Sequence, residues 1–180
     1  MINTQGKKYG VFVGRISPLH HGHAQAIEAM LQDFGHECST IVIGSTNAPI
    51  AEKTPFTFDE RKSFCEAIFP EVRVLGLPDF HNNEAWLAAL DRLLEEQGID
   101  PSSTVFYGGS GPDIAFFEAD GRSVEIVDRY GDSSLSISAT DIRQFLRRKE
   151  YEKLDGRVDP RIREQVIELF EKRRHEIYGK

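Results

Sequence analysis

Cysteine is scarce in this chain. The 180 residues hold two, Cys38 and Cys65. Their separation fits neither a zinc ribbon nor the disulfide framework of a small secreted domain. No apolar run approaches the roughly 18–20 residues that a membrane-spanning helix needs, so a membrane partner is not expected. The opening residues, Met1 to Lys8, show no apolar core of an export signal, and the expected location is the cytoplasm. Positive charge does not dominate either. Twenty-two Lys and Arg stand against 29 Asp and Glu, a formal net charge of −7, which argues against a nucleic-acid-binding surface. Basic groups do cluster at Arg143, Arg147 to Lys149 and Lys172 to Arg174. Apart from Arg143, these read as solvated helix faces.

What is present is an ordinary balance for a folded protein, 39% apolar and 28% charged. The length suits one core and is short for two, and no repeat or low-complexity tract divides it. One domain over 1–180 is expected, with 151–180 as a C-terminal helical cap. Strand-like runs at 9–13, 39–44, 72–77, 104–107 and 124–127 are mostly continuous β-branched or aromatic stretches. Such runs suit strands covered on both faces. Helical patterns separate them, so the expected fold is α/β, a doubly wound, five-stranded parallel sheet with right-handed crossovers. Ligands in that architecture bind beyond the carboxyl ends of the strands.

The first such end is Gly14-Arg15-Ile16-Ser17-Pro18-Leu19-His20-His21-Gly22-His23, and a helical pattern follows from Ala24. A helix N-terminus offers unpaired N–H groups to a phosphate. His20 and His23, three residues apart, lie on one side of the first turn. Zinc is the competing reading of His20, His21 and His23, but no nearby Cys or carboxylate completes a tetrahedral set. A second phosphate cradle is expected at Ser138-Ala139-Thr140-Asp141-Ile142-Arg143, where Ser138 caps a helix, Thr140 adds a hydroxyl and Arg143 sits one turn on. Two facing cradles suit a polyphosphate.

Other signals are weaker. Thr57 and Glu60 form a capping-box pattern that puts Arg61 in a first helical turn, where either a bound phosphate or, more often, a neighbouring carboxylate would hold it. Trp86 reads as core or as a stacking platform. The glycine-rich turn at Gly108 and Gly109 lets backbone approach a ligand and matches no P-loop spacing.

His20-x-Gly22-His23 after Gly14-Arg15, with Ser138-x-Thr140-x-x-Arg143 near the end, resembles the HxGH nucleotidyltransferase superfamily. The Gly44-Ser45 turn, Pro55-Phe56-Thr57 with Glu60-Arg61, the Asp79-x-x-x-Asn83-x-x-Trp86 spacing and Tyr107-Gly108-Gly109 resemble archaeal-type nicotinamide mononucleotide (NMN) adenylyltransferases within it. Ile16 and Ser17 depart from the usual aromatic or Met followed by Gln.

The resemblance implies a Rossmann-like enzyme that transfers AMP from ATP to NMN, releasing pyrophosphate. It implies His20 and His23 on the α- and β-phosphates, and Ser138, Thr140 and Arg143 on the β- and γ-phosphates. Gly14, Arg15, Ile16, Ser17, Gly22, Gly108 and Gly109 would form the ATP side. Ser45, Arg61, Asp79, Asn83 and Trp86 would form the NMN side. Mg2+ would be held mainly through phosphates, with no dedicated protein metal site. Another phosphorylated acceptor (nicotinic acid mononucleotide, phosphopantetheine or flavin mononucleotide) and a non-catalytic nucleotide sensor are the alternatives. Self-association is left open.

Overall fold

The protein is described by a computed structural model covering residues 6–108, 111–127 and 137–179. Gly109, expected on the ATP side, lies outside the described residues.

Five parallel strands form one sheet: β1 (Tyr9–Gly14), β2 (Ser39–Ile43), β3 (Arg73–Gly76), β4 (Thr104–Gly108) and β5 (Ser123–Ile126). Their spatial order is β3-β2-β1-β4-β5. The order reverses between β1 and β4, so a crevice opens beyond their carboxyl ends. The helices are α1 (His21–Phe34), α2 (Phe58–Ile68), α3 (Asn83–Glu96), α4 (Gly111–Ala119), α5 (Ala139–Arg148) and α6 (Pro160–Tyr178). The expected strands and the doubly wound α/β class match this arrangement to within a residue or two.

Successive strand residues point to opposite faces and build two cores. Phe12, Ile41, Ile43, Val105 and Tyr107 pack with Ile27 and Met30 of α1, Phe64 of α2, Ile142 and Leu146 of α5, and Ile162, Val166 and Phe170 of α6. Val11, Val42 and Phe106 face the other way, onto Leu87, Leu90 and Leu94 of α3 and Phe117 of α4. Burying a side chain of this size stabilises by about 1.5–3 kcal/mol relative to exposure, so both faces need their helices. Gly10 allows α1 to lie close against β1, because a Cβ there would stand 2.6 Å from Met30 Cγ.

Local grammar fixes the helix starts. Thr57 and Glu60 form a reciprocal capping box, Ser138 caps α5, and Asp159 followed by Pro160 opens α6. At the other end of α5, the Arg174 guanidinium donates to the carbonyls of Leu146 and Arg147, satisfying acceptors that a helix C-terminus leaves open. Arg173 makes a bidentate pair with Glu60, joining α6 to the first turn of α2. No helix among the described residues is long and apolar enough to cross a membrane.

Candidate active site

The loop after β1 ends in a capping box made of two histidines. His20 is the N-cap of α1, and its Nδ1 accepts from the backbone N–H groups of Gly22 at 3.0 Å and His23 at 3.4 Å. In return His23 Nδ1 accepts from the His20 N–H at 3.4 Å. The rings stack with centroids 3.7 Å apart. A nitrogen that accepts carries no proton, so each neutral imidazole bears its hydrogen on Nε2. Both rings are buried yet line one cavity. The pair is therefore two fixed Nε2–H donors.

This corrects one expectation. The N–H of His21 donates to Arg157 O, those of Gly22 and His23 to His20 Nδ1, and that of Ala24 to His20 O. The opening backbone donors of α1 are thus committed within the fold. An anion here would meet imidazole donors rather than main-chain ones.

The cavity encloses about 770 Å3, within the range of small-molecule sites. The start of α5 contributes to the same cavity as the histidines. Ser138 Oγ accepts from the Asp141 N–H at 3.1 Å and donates to Asp141 Oδ2 at 2.7 Å, so its hydroxyl serves the cap. Ser138, Ala139, Thr140 and Arg143 all line the cavity. Arg143 donates to Ser17 O at 2.9 Å and Thr140 Oγ1 at 3.2 Å. Burial, and then the nearby charge of Arg15, push its pKa down. A guanidinium crowded by a second one at a cavity wall favours an anionic ligand. The concentration of positive charge is local, since the whole chain is acidic.

The remaining candidates divide. Gly14, Arg15 and Ser17 line the cavity. Ile16, expected on the ATP side, is instead buried in the core, its backbone held at φ 53°. Gly22 lies inside the first turn of α1. At Gly108 a Cβ would meet Ile114 Cδ1 at 2.8 Å, so the missing side chain serves the approach of α4 to β4.

Ser45, Asp79, Asn83 and Trp86 line the same cavity. Ser45 Oγ donates to Asp79 Oδ1 at 2.8 Å. Trp86, half-buried, packs edge-on against Phe116 and Phe117, at 5.7 and 5.8 Å between centroids, and also forms cavity wall.

Arg61 requires the other correction. It is 1% exposed and lies outside the cavity lining. No carboxylate among the described residues forms an ion pair or hydrogen bond with it, although the charge of Asp79 acts on it from nearby. Its guanidinium donates to four carbonyls: Gly44 O at 2.8 Å, Arg15 O at 2.9 Å, Ser45 O at 3.1 Å and Thr57 O at 3.3 Å. Desolvating the charge costs several kcal/mol, while hydrogen bonds from a charged donor return about 1.5–3 kcal/mol each. The four bonds are of the size needed to offset the burial.

Among the residues that sequence reasoning missed are Asn47, Phe80 and Phe116. Asn47 Oδ1 accepts from the Asp79 N–H at 2.9 Å, and its Nδ2 donates to Asp79 O at 3.4 Å. Phe80 lines the cavity while 43% exposed, and Phe116 joins it from α4. Only the position of Phe80, just past a strand's carboxyl end, hinted at this.

Residues 11–145 match the cytidylyltransferase-like family. The chain belongs to that family. The match runs from β1 into α5, so the histidine pair and the Ser138–Arg143 turn both fall inside the cytidylyltransferase-like region, and α6 follows it. The chain is 33% identical over 131 residues to the nicotinamide-nucleotide adenylyltransferase of Caldivirga maquilingensis, covering 67% of this chain and 68% of that protein. It is 31% identical over 144 residues to the enzyme of the same name from Thermococcus kodakarensis, covering 76% and 71%. A solved bifunctional NMN adenylyltransferase/ADP ribose pyrophosphatase from Francisella tularensis, complexed with AMP and a Mn ion, shares the fold. Its TM-score is 0.67 at 22% identity, over 94% of this chain and 53% of that one. The cytidylyltransferase-like chain thus spans about half of that bifunctional protein.

Proposed function

We propose that this protein is an adenylyltransferase that transfers AMP from ATP to NMN, giving NAD and pyrophosphate. One observation carries the reading. Two fixed imidazole donors and a desolvated arginine share a cavity with an aromatic and amide wall formed by Trp86 and Asn83. The curated relatives, at about 30% identity, carry the same activity in their names.

In this reaction an oxygen of the NMN 5′-phosphate attacks the α-phosphorus of ATP, and the bond from that phosphorus to the β-phosphate bridging oxygen breaks. The nucleophile is already ionised, so the enzyme needs neither a strong base nor a covalent intermediate. Catalysis is positioning plus stabilisation of developing charge. His20 and His23 donate through Nε2–H to the α- and β-phosphate oxygens. Arg143 and Thr140, with the Ser138-capped turn of α5 and Arg15, hold the β- and γ-phosphates as pyrophosphate departs. Trp86 stacks on the nicotinamide ring, and Asn83 hydrogen-bonds its carboxamide. Ser45 and Asp79 shape that wall.

No three His, Cys, Asp or Glu among the described residues converge to hold a metal ion. A divalent ion, Mg2+ in this reading, would be held mainly through the phosphates that His20, His23 and Arg143 position. It would supply neutralisation of charge on the departing pyrophosphate. We place the enzyme in the cytoplasm and treat residues 1–180 as one nucleotidyltransferase unit with a helical cap.

The test is a coupled assay with ATP, Mg2+ and NMN, reading NAD through alcohol dehydrogenase. Sustained NAD formation is expected. Silence in a folded protein that still binds ATP would discard NMN as acceptor.

A further inference from the structure

We propose that Arg61 is a positioning residue of the transfer reaction, fixing the loop after β1 against the loop after β2 so that the two substrates meet in register. This rests on the adenylyl-transfer reading above. The Arg61 guanidinium spans three segments: Arg15 in the first loop, Gly44 and Ser45 in the second, and Thr57, one turn back at the N-cap of its own helix α2. Its neighbours in both loops are locked. Ile16 and Ser45 each hold φ near 53°, a left-handed conformation that non-glycine residues keep only where the surroundings impose it.

The two loops carry different substrates. The first supplies Arg15 and Ser17 and leads into the histidine pair. From the second, Ser45 holds Asp79 through its hydroxyl while Asn47 holds the Asp79 backbone in both directions. Asp79 begins the segment that delivers Asn83 and Trp86. Hydrogen bonds therefore link Arg61 to Arg15 and, through Ser45, to Asp79, all three of which line the cavity while Arg61 does not. Arg143 also grips the first loop, through Ser17 O, so two guanidiniums on different helices hold that loop. Lysine cannot replace this fork, because its single ammonium lacks the planar spread needed to reach three segments together.

The experiment separates positioning from mere stability. Arg61→Lys and Arg61→Ala are compared with wild type by thermal melting, by equilibrium binding of ATP alone and of NMN alone, and by steady-state turnover. Arg61→Lys is expected to fold, to bind each substrate within about threefold of wild type, and to lose about 10²-fold in kcat, as misplacement of reacting groups by about 1 Å does. Arg61→Ala is expected to regain turnover when millimolar guanidinium is added, and this arm stands even where Arg61→Lys does not fold. Unchanged kcat in a folded Arg61→Lys protein would overturn the proposal. So would a loss of kcat matched by equal losses of single-substrate affinity and melting temperature. A wild-type protein silent with both substrates present would remove the transfer reading and this proposal with it. An active wild type beside an unaffected variant would remove this proposal alone.

Discussion

His20 and His23 each hold the other's backbone. The Nδ1 of one accepts from the N–H of the other, in both directions, and the rings stack 3.7 Å apart between centroids. The arrangement has the logic of a Ser-x-x-Glu capping box with both members replaced by imidazoles. It joins two tasks, because the nitrogen that caps the helix and the nitrogen that can meet a ligand are opposite atoms of one ring.

The two tasks can be separated by substitution. Asparagine is among the best N-caps, so His20→Asn should hold α1 to within a few tenths of a kcal/mol while losing the Nε2–H donor. His20→Ala should lose both, at a cost of about 1 kcal/mol in stability. Both variants should lose about 10²–10³-fold in turnover, the usual effect of removing a transition-state donor. Chemical denaturation beside steady-state kinetics checks the split. Equal turnover in His20→Asn and wild type would remove the imidazole donor from the reaction.

Trp86 has two kinds of neighbour, the Phe116 and Phe117 rings and the open cavity. Trp86→Ala should therefore destabilise the fold by about 3 kcal/mol and raise KM for the mononucleotide while leaving KM for ATP near its wild-type value. Trp86→Phe should restore most of the stability and part of the affinity. A change in KM for ATP as large as that for the mononucleotide would contradict this assignment.

The Glu60–Arg173 pair makes stability depend on pH. Burial alone would raise the Glu60 pKa, but hydrogen bonds and charge from Arg173, with the Thr57 N–H, outweigh it and hold the carboxyl below its ordinary value. A carboxyl depressed in the folded state stabilises the protein above its unfolded pKa, and the contribution is lost as pH falls through the folded one. At neutral pH Glu60→Gln should cost about 2 kcal/mol, as for a hydrogen bond to a charged group. The gap should close in acid below the ordinary carboxylate range. Urea melts across pH for both proteins would show whether it does.

Arg143 is held by Ser17 O and Thr140 Oγ1 and crowded by Arg15. Arg143→Lys keeps the charge but not the fork, and should lose about 10²-fold in kcat/KM with little change in melting temperature. Near-normal kcat/KM would place the polyphosphate elsewhere.

Much of this was legible in the sequence because it is local. Apolar runs marked the five strands, and Thr57–Glu60, Ser138–Asp141 and Asp159–Pro160 marked three helix starts by short-range hydrogen bonding. The partners of Arg61 were not legible, because they are carbonyls contributed by loops that meet only once the sheet is assembled. Asn47 was hidden for the same reason, since its bond to Asp79 crosses from one strand's loop to the next. Which nitrogen of His20 faces inward was also hidden, because spacing fixes the side of a helix and not the atom that caps it.

The central claim is direct transfer of AMP between two bound nucleotides, and 31P NMR of ATP and NMN turning over with Mg2+ tests it most directly. The account predicts that pyrophosphate and dinucleotide signals rise together in equal amounts, with no phosphorus attached to the protein. Signals of ADP and orthophosphate in their place, or an unchanged spectrum from a folded protein that binds ATP, would contradict it.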